Sequence, residues 1–95
     1  MKKEPVHAAC EIAIVNQLGL HARPAAEFVR RANAFRSEIW VVTAAGRFSA
    51  LSLIDVMRAN LEQGAVATLE ASGPDAVEAV ERLAKVVREM RDYAD

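Results

Sequence analysis

Disulfides, membrane spans and a basic face are all missing from this 95-residue sequence. It holds one cysteine, Cys10, so no disulfide can close within the chain and a stapled secreted domain is not expected. No stretch approaches the roughly 20 apolar residues that cross a bilayer, so no membrane insertion is expected. Twelve basic residues stand against thirteen acidic ones, a net charge of −1. That balance offers no basic surface for a phosphate backbone, which argues against nucleic acid as a partner. The opening "MKKEPVHAAC" imitates a signal peptide and a lipidation site but lacks the apolar run of about 7–15 residues that either would need. The expectation is a soluble cytoplasmic protein. His7, His21 and Cys10 are too widely spaced for a metal site, no Gly-rich nucleotide loop is present, and neither metal nor cofactor is expected.

What remains is the composition of an ordinary folded globule, 53% hydrophobic and 26% charged. Its length suits one domain over 1–95, with a core over about 8–87. Cys10, Ile12 and Ile14 alternate with Glu11, Ala13 and Val15, the period of a strand, and Cys10 reads as a small buried hydrophobe. From Ala22 the period changes. Ala25, Phe28, Val29, Ala32 and Phe35 follow helical spacing, and Pro24 suits a first turn. "EIWVVT" (38–43) reads as a strand, "AAG" as a turn and "RFSA" (47–50) as a short return strand. "SLIDVMRANLEQG" reads as a helix with Leu53, Val56, Met57 and Leu61 on its apolar stripe. "AVATLEAS" (65–72) is a further strand. The last helix opens after Gly73-Pro74-Asp75, with Val77, Val80, Leu83, Ala84 and Val87 facing inward and Glu78–Arg82 paired outside. The tail "REMRDYAD" reads as an extension of that helix. The order β-α-β-β-α-β-α predicts an α+β fold: a two-layer open-faced β-sandwich, with a four-stranded mainly antiparallel sheet and three helices on one face.

The chemistry concentrates in "GLHARP". His21 falls at the mouth of the first helix, where amides point outward and the dipole is positive. Such an end suits an anion, and Arg23 adds a fixed charge with several donors. His21 adds a ring nitrogen that is a nucleophile in the neutral form of an imidazole. These are the parts for holding a phosphoryl group. Solvated polar side chains are the plainer reading of the same two residues, and spacing alone leaves both open.

"LGLHARPAAEF" closely resembles the active-site signature of the HPr family, the histidine-containing phosphocarriers of the phosphoenolpyruvate-dependent phosphotransferase system. The resemblance runs from about Ala8 to Val87, and the order of elements is that of the family. It implies that His21 accepts a phosphoryl group on Nδ1 from enzyme I and passes it to an enzyme IIA-type protein. Arg23 matches the active-site arginine, and Ala22 would line the phosphate position. The chain would be a carrier and not an enzyme, and is expected to be a monomer.

"ALSLIDVM" resembles the family's regulatory segment. Ser52 falls where some members are phosphorylated by an ATP-dependent HPr kinase, although Leu51 replaces a basic residue common in kinase-regulated members. Serine is also a preferred N-cap and needs no kinase to explain it. Leu53, Ile54 and Met57 match a docking patch, Phe28 lies toward the same surface, and Arg30 matches a basic face that docks enzyme I. Two other readings stand beside the sugar-type carrier. One is a nitrogen-type HPr paralogue feeding a regulatory relay. The other is an interaction module whose His21 is never phosphorylated and which works through residues 53–57.

Overall fold

A computed structural model describes residues 6–92. The elements are β1 (His7–Ala13), α1 (Ala22–Ala32), β2 (Glu38–Thr43), β3 (Gly46–Ser49), α2 (Leu53–Arg58), β4 (Val66–Ser72) and α3 (Ala76–Arg88). They form one antiparallel sheet in the order β1-β4-β2-β3. Cys10 faces Leu69 across the β1–β4 ladder, and Val41 faces Leu69 across the β2–β4 ladder. This is the expected open-faced α+β sandwich.

The period-2 pattern sorts the strand residues. Ile12, Ile39, Val41, Ala67, Leu69 and Ala71 are buried beneath the helices. His7, Ala9, Glu11 and Ala13 are exposed on the other face. There Trp40 carries the Arg47 guanidinium 4.1 Å from its ring centre, and Arg47 Nε lies 3.9 Å from Glu70. Phe28, Ala25 and Ala32 from α1, Val56 from α2, and Val80, Leu83, Ala84 and Val87 from α3 complete the core.

Several boundaries differ from the expectations. The lead-in read at 1–8 reaches the strand at His7, and residues 1–5 lie outside the described ones. β1 ends at Ala13, although Ile14 N–H still donates to Ala65 O (2.9 Å) and Ile14 O still accepts from Gly64 (2.9 Å). α2 stops at Arg58 because Asn60 takes a left-handed backbone (φ 58°), so Leu61 is buried from a loop and not from the helix. Val77 is exposed. The inward stripe of α3 is Ala76, Ala79, Val80, Leu83, Ala84 and Val87, so two alanines make the close approach that Val77 was expected to make. Cys10 is half-buried rather than buried. The Glu78–Arg82 pair is present at 3.2 Å.

Two glycines are required by close approach. A Cβ on Gly73 would lie 2.6 Å from Ser37 Oγ, at a φ of +152°. A Cβ on Gly19 (φ +69°) would lie 2.5 Å from Leu61 O and 2.8 Å from Glu62 Cα. Gly19 thereby lets the loop before α1 press against the chain after α2, where Leu20 N–H donates to Leu61 O at 2.8 Å.

The described part of the tail, to Asp92, does not extend α3, and residues 93–95 lie outside the described ones. The helix ends at Arg88, Met90 is buried, and Met90 N–H donates to Val87 O at 3.3 Å as the chain turns away. Asp92 then comes back against the loop that precedes α1.

Candidate functional site at the mouth of helix α1

His21 is the N-cap of α1. Its backbone is extended (φ −77°, ψ −173°), and its carbonyl accepts the first turn's hydrogen bond from Ala25 N–H at 2.9 Å. Its ring makes no capping hydrogen bond. The amides of a helix's first turn have no carbonyl one turn earlier to bond within the helix. The ring therefore leaves that end for another acceptor. The His21 side chain is 32% exposed. Ala22 and Arg23, the first two helical residues, are exposed, and Pro24 is buried behind them.

α1 carries no acidic residue in its first turn. Glu27 lies one turn further in and binds the basic residues beyond it, accepting from Arg30 Nη2 (2.5 Å) and Arg31 Nε (3.2 Å). Partial burial raises the Glu27 carboxyl, but the hydrogen bonds and charges of Arg31 and Arg30 outweigh it and hold the group below its ordinary range. Arg23, Ala26, Glu27 and Arg30 line a shallow open depression along this exposed side. Arg30 thus stands on an accessible surface beside Arg23.

The loop before the histidine is fixed by a residue that sequence reasoning missed. Asp92 Oδ1 accepts from Asn16 Nδ2 (2.9 Å) and from Leu18 N–H (3.1 Å), and Oδ2 lies 3.3 Å from the same N–H. Asn16 Nδ2 also donates to Gly19 O (2.6 Å). The same Asp92 Oδ1 lies 3.6 Å from His21 Nε2. Asn16 is buried and was read only as loop; its pattern in the sequence carries no signal for a partner 76 positions away.

Ser52 and the patch that follows it lie elsewhere. Ser52 is the N-cap of α2, its Oγ accepting from Asp55 N–H at 3.2 Å. Asn33, the C-cap of α1, donates from Nδ2 to Leu51 O (3.2 Å). Ser52 therefore sits by the far end of α1, whose 11 residues span about 16 Å, and not beside His21. Leu53 (41% exposed), Ile54 (71%) and Met57 (41%) leave an apolar surface on α2. The inward stripe read for this segment is corrected: of its helical members only Val56 is buried. Phe28 is also corrected. It is fully buried in the core and contributes no surface to a partner.

Among the described residues no group of three or more His, Cys, Asp or Glu side chains could share a metal ion. No described helix is long and apolar enough to cross a membrane.

A family model described as the PTS HPr component phosphorylation site matches residues 8–89. The chain is 42% identical over 77 residues to the phosphocarrier protein HPr of Haemophilus influenzae, covering 81% of this chain and 91% of that protein. Its fold matches a crystal structure of a phosphocarrier protein HPr from Bacillus anthracis with a TM-score of 0.82 and 33% identity, over 86% of this chain and 98% of the other. It also matches an HPr dimer from Thermoanaerobacter tengcongensis, with a TM-score of 0.68 and 42% identity, over 81% and 88% of the two chains.

Proposed function

This chain belongs to the HPr family, the phosphocarriers of the phosphotransferase system, and we propose that His21 is its phosphoryl acceptor. Family membership makes it a carrier and not an enzyme, working with other proteins of that system. In the finer reading, phospho-enzyme I in the cytoplasm loads a phosphoryl group on His21, and an enzyme IIA-type protein removes it. The carrying observation is the position of His21: a part-exposed ring at the N-cap of α1 that makes no capping hydrogen bond to its own helix. Ala22 and Arg23 occupy that first turn. Amides, helix dipole and a guanidinium all favour the added negative charge. Leu53, Ile54, Met57 and Arg30 supply exposed contact surface on the neighbouring helices for the two partners.

A regulatory phosphate on Ser52 rests on the family resemblance alone, since its hydroxyl already serves as the cap of α2. A sugar-type and a nitrogen-type relay would both draw on the same His21 chemistry.

The test is loading by purified enzyme I and phosphoenolpyruvate, read by intact mass and by mapping the modified residue. One phosphoryl group on the native chain and none on His21→Ala is expected. Undiminished labelling of His21→Ala overturns the assignment.

A further inference from the structure

Asp92 lies beyond the part of the chain that matches the family model, which ends at residue 89. Yet its carboxylate meets the acceptor loop at three points: the Asn16 amide, the Leu18 N–H and the edge of the His21 ring. His21 Nε2 is shielded from solvent and has no hydrogen-bond partner. A buried polar atom in that state calls for an explanation. The 3.6 Å to Asp92 Oδ1 is too long for a hydrogen bond, but a small ring rotation would close it.

We propose that Asp92 is a positioning residue for the phosphoryl acceptor, holding the His21 ring in the tautomer protonated at Nε2 so that Nδ1 keeps the free lone pair. This inference rests on the phosphocarrier reading of His21.

The two nitrogens of a neutral imidazole are not equivalent, and the partner of one decides which carries the proton. A carboxylate beside Nε2 attracts an N–H there and repels a lone pair. Nδ1 is then the nucleophile. In the transfer, its lone pair forms the N–P bond as the bond between phosphorus and the donor atom of phospho-enzyme I breaks, and that donor atom keeps the electron pair. The Nε2 proton stays on the ring, which becomes positive while the phosphoryl group remains anionic. Asp92 sits where that new positive charge is shared, so the carboxylate stabilises the loaded ring as well as orienting the empty one.

The carboxylate is itself held in place. Asn16 Nδ2 bridges Asp92 Oδ1 and Gly19 O, which ties the tail to the loop that delivers His21 to the helix. Met90, buried two residues earlier, anchors the tail in the core.

Asp92→Asn removes the charge but keeps an oxygen for the Leu18 N–H, whereas Asp92→Ala removes both. Nitrogen-15 NMR of the ring at about pH 8.5, above the ordinary imidazole range, reads the tautomer directly. The native ring is expected to be predominantly Nε2-protonated, and both variants are expected to shift toward a mixture. Phosphorylation by enzyme I is expected to slow about tenfold in Asp92→Asn, with the thermal midpoint unchanged within a few degrees. An unchanged tautomer balance, or a transfer rate within about twofold of native, overturns the proposal. If the native chain takes up no phosphate at all, the phosphocarrier reading fails instead, and the tautomer comparison alone decides whether Asp92 orients the ring.

Discussion

Asp92 Oδ1 lies 2.9 Å from Asn16 Nδ2, although 76 positions separate the two residues in the chain. The contact joins the end of the fold to the loop that presents the acceptor histidine. It also couples one ionisable group to the geometry of that loop.

That coupling has a defined sign with pH. The Asp92 carboxyl is held below its ordinary range chiefly by the Asn16 amide; partial burial opposes this, and the Leu18 N–H, the His21 charge and the Gln17 N–H add to it. A carboxyl whose folded value is depressed contributes stability above its unfolded value and loses it as pH falls through the folded one. Below the ordinary imidazole range, the Leu18 amide resonance is therefore expected to hold its position from about pH 5.5 down to the ordinary aspartate range near 3.9, and to move only below it. A transition of that resonance centred between about pH 3.9 and 5.5 would show that the tie is absent in solution.

Arg23 is exposed in the first turn of α1, so replacing it should cost function and not folding. Arg23→Ala is expected to lower the rate of loading by enzyme I on the order of a hundredfold, the usual effect of deleting one positioned donor at a developing anion. Its unfolding free energy should change by no more than about 1 kcal/mol, the range of one exposed polar contact. Arg23→Lys keeps the charge but loses the planar fork, and should fall between the two. Equal loading rates for native and Arg23→Ala chains would remove Arg23 from the site.

Phe28 and Ile54 were both expected on a partner surface, and the structure separates them: Phe28 is fully buried and Ile54 is 71% exposed. Phe28→Ala should cost about 3–5 kcal/mol in urea unfolding through lost burial and the cavity left behind. Ile54→Glu should leave stability within about 0.5 kcal/mol but raise the KM for enzyme I several-fold. Stability loss from Ile54→Glu comparable with that from Phe28→Ala would contradict the burial assignment.

Much of this was legible in the sequence because local patterns carry it. The β-branched run of "EIWVVT" marks β2 at Glu38–Thr43, and the change of period at Ala22 marks the start of α1 and puts His21 at its N-cap. The misses have a common physical form. A helical period gives a stripe but not its edges, so Val77 was counted inward while Ala76 and Ala79, small enough for close packing, took those places. Phe28 lies on the same helix as Arg23 and Arg30, and spacing alone does not say how deep it sinks. "REMRDYAD" has helix-forming residues, and nothing within it signals that Asp92 will find Asn16 and Leu18 across the fold. Side-chain pairs at long sequence separation leave no periodicity to read.

Gly19 and Gly64 offer a controlled comparison of strain and space. Both have a left-handed backbone, φ +69° and +86°, which any side chain makes less favourable. Around Gly64 a Cβ would meet nothing within 4 Å, whereas at Gly19 it would meet the Leu61 carbonyl oxygen at 2.5 Å and the Glu62 Cα at 2.8 Å. Those neighbours are backbone and cannot swing aside. Gly64→Ala should therefore cost about 1–2 kcal/mol, the conformational penalty alone. Gly19→Ala carries the same penalty and must also push the Asn16–Leu20 loop off the chain after α2, so its cost should exceed that of Gly64→Ala by at least ~1 kcal/mol. Because that loop delivers His21 and carries the Asp92 contacts, Gly19→Ala should also slow loading by enzyme I, while Gly64→Ala should load at the native rate. Urea unfolding and loading kinetics on the two variants check both halves, and equal behaviour of the pair would show that the close approach at Leu61 does not constrain the site.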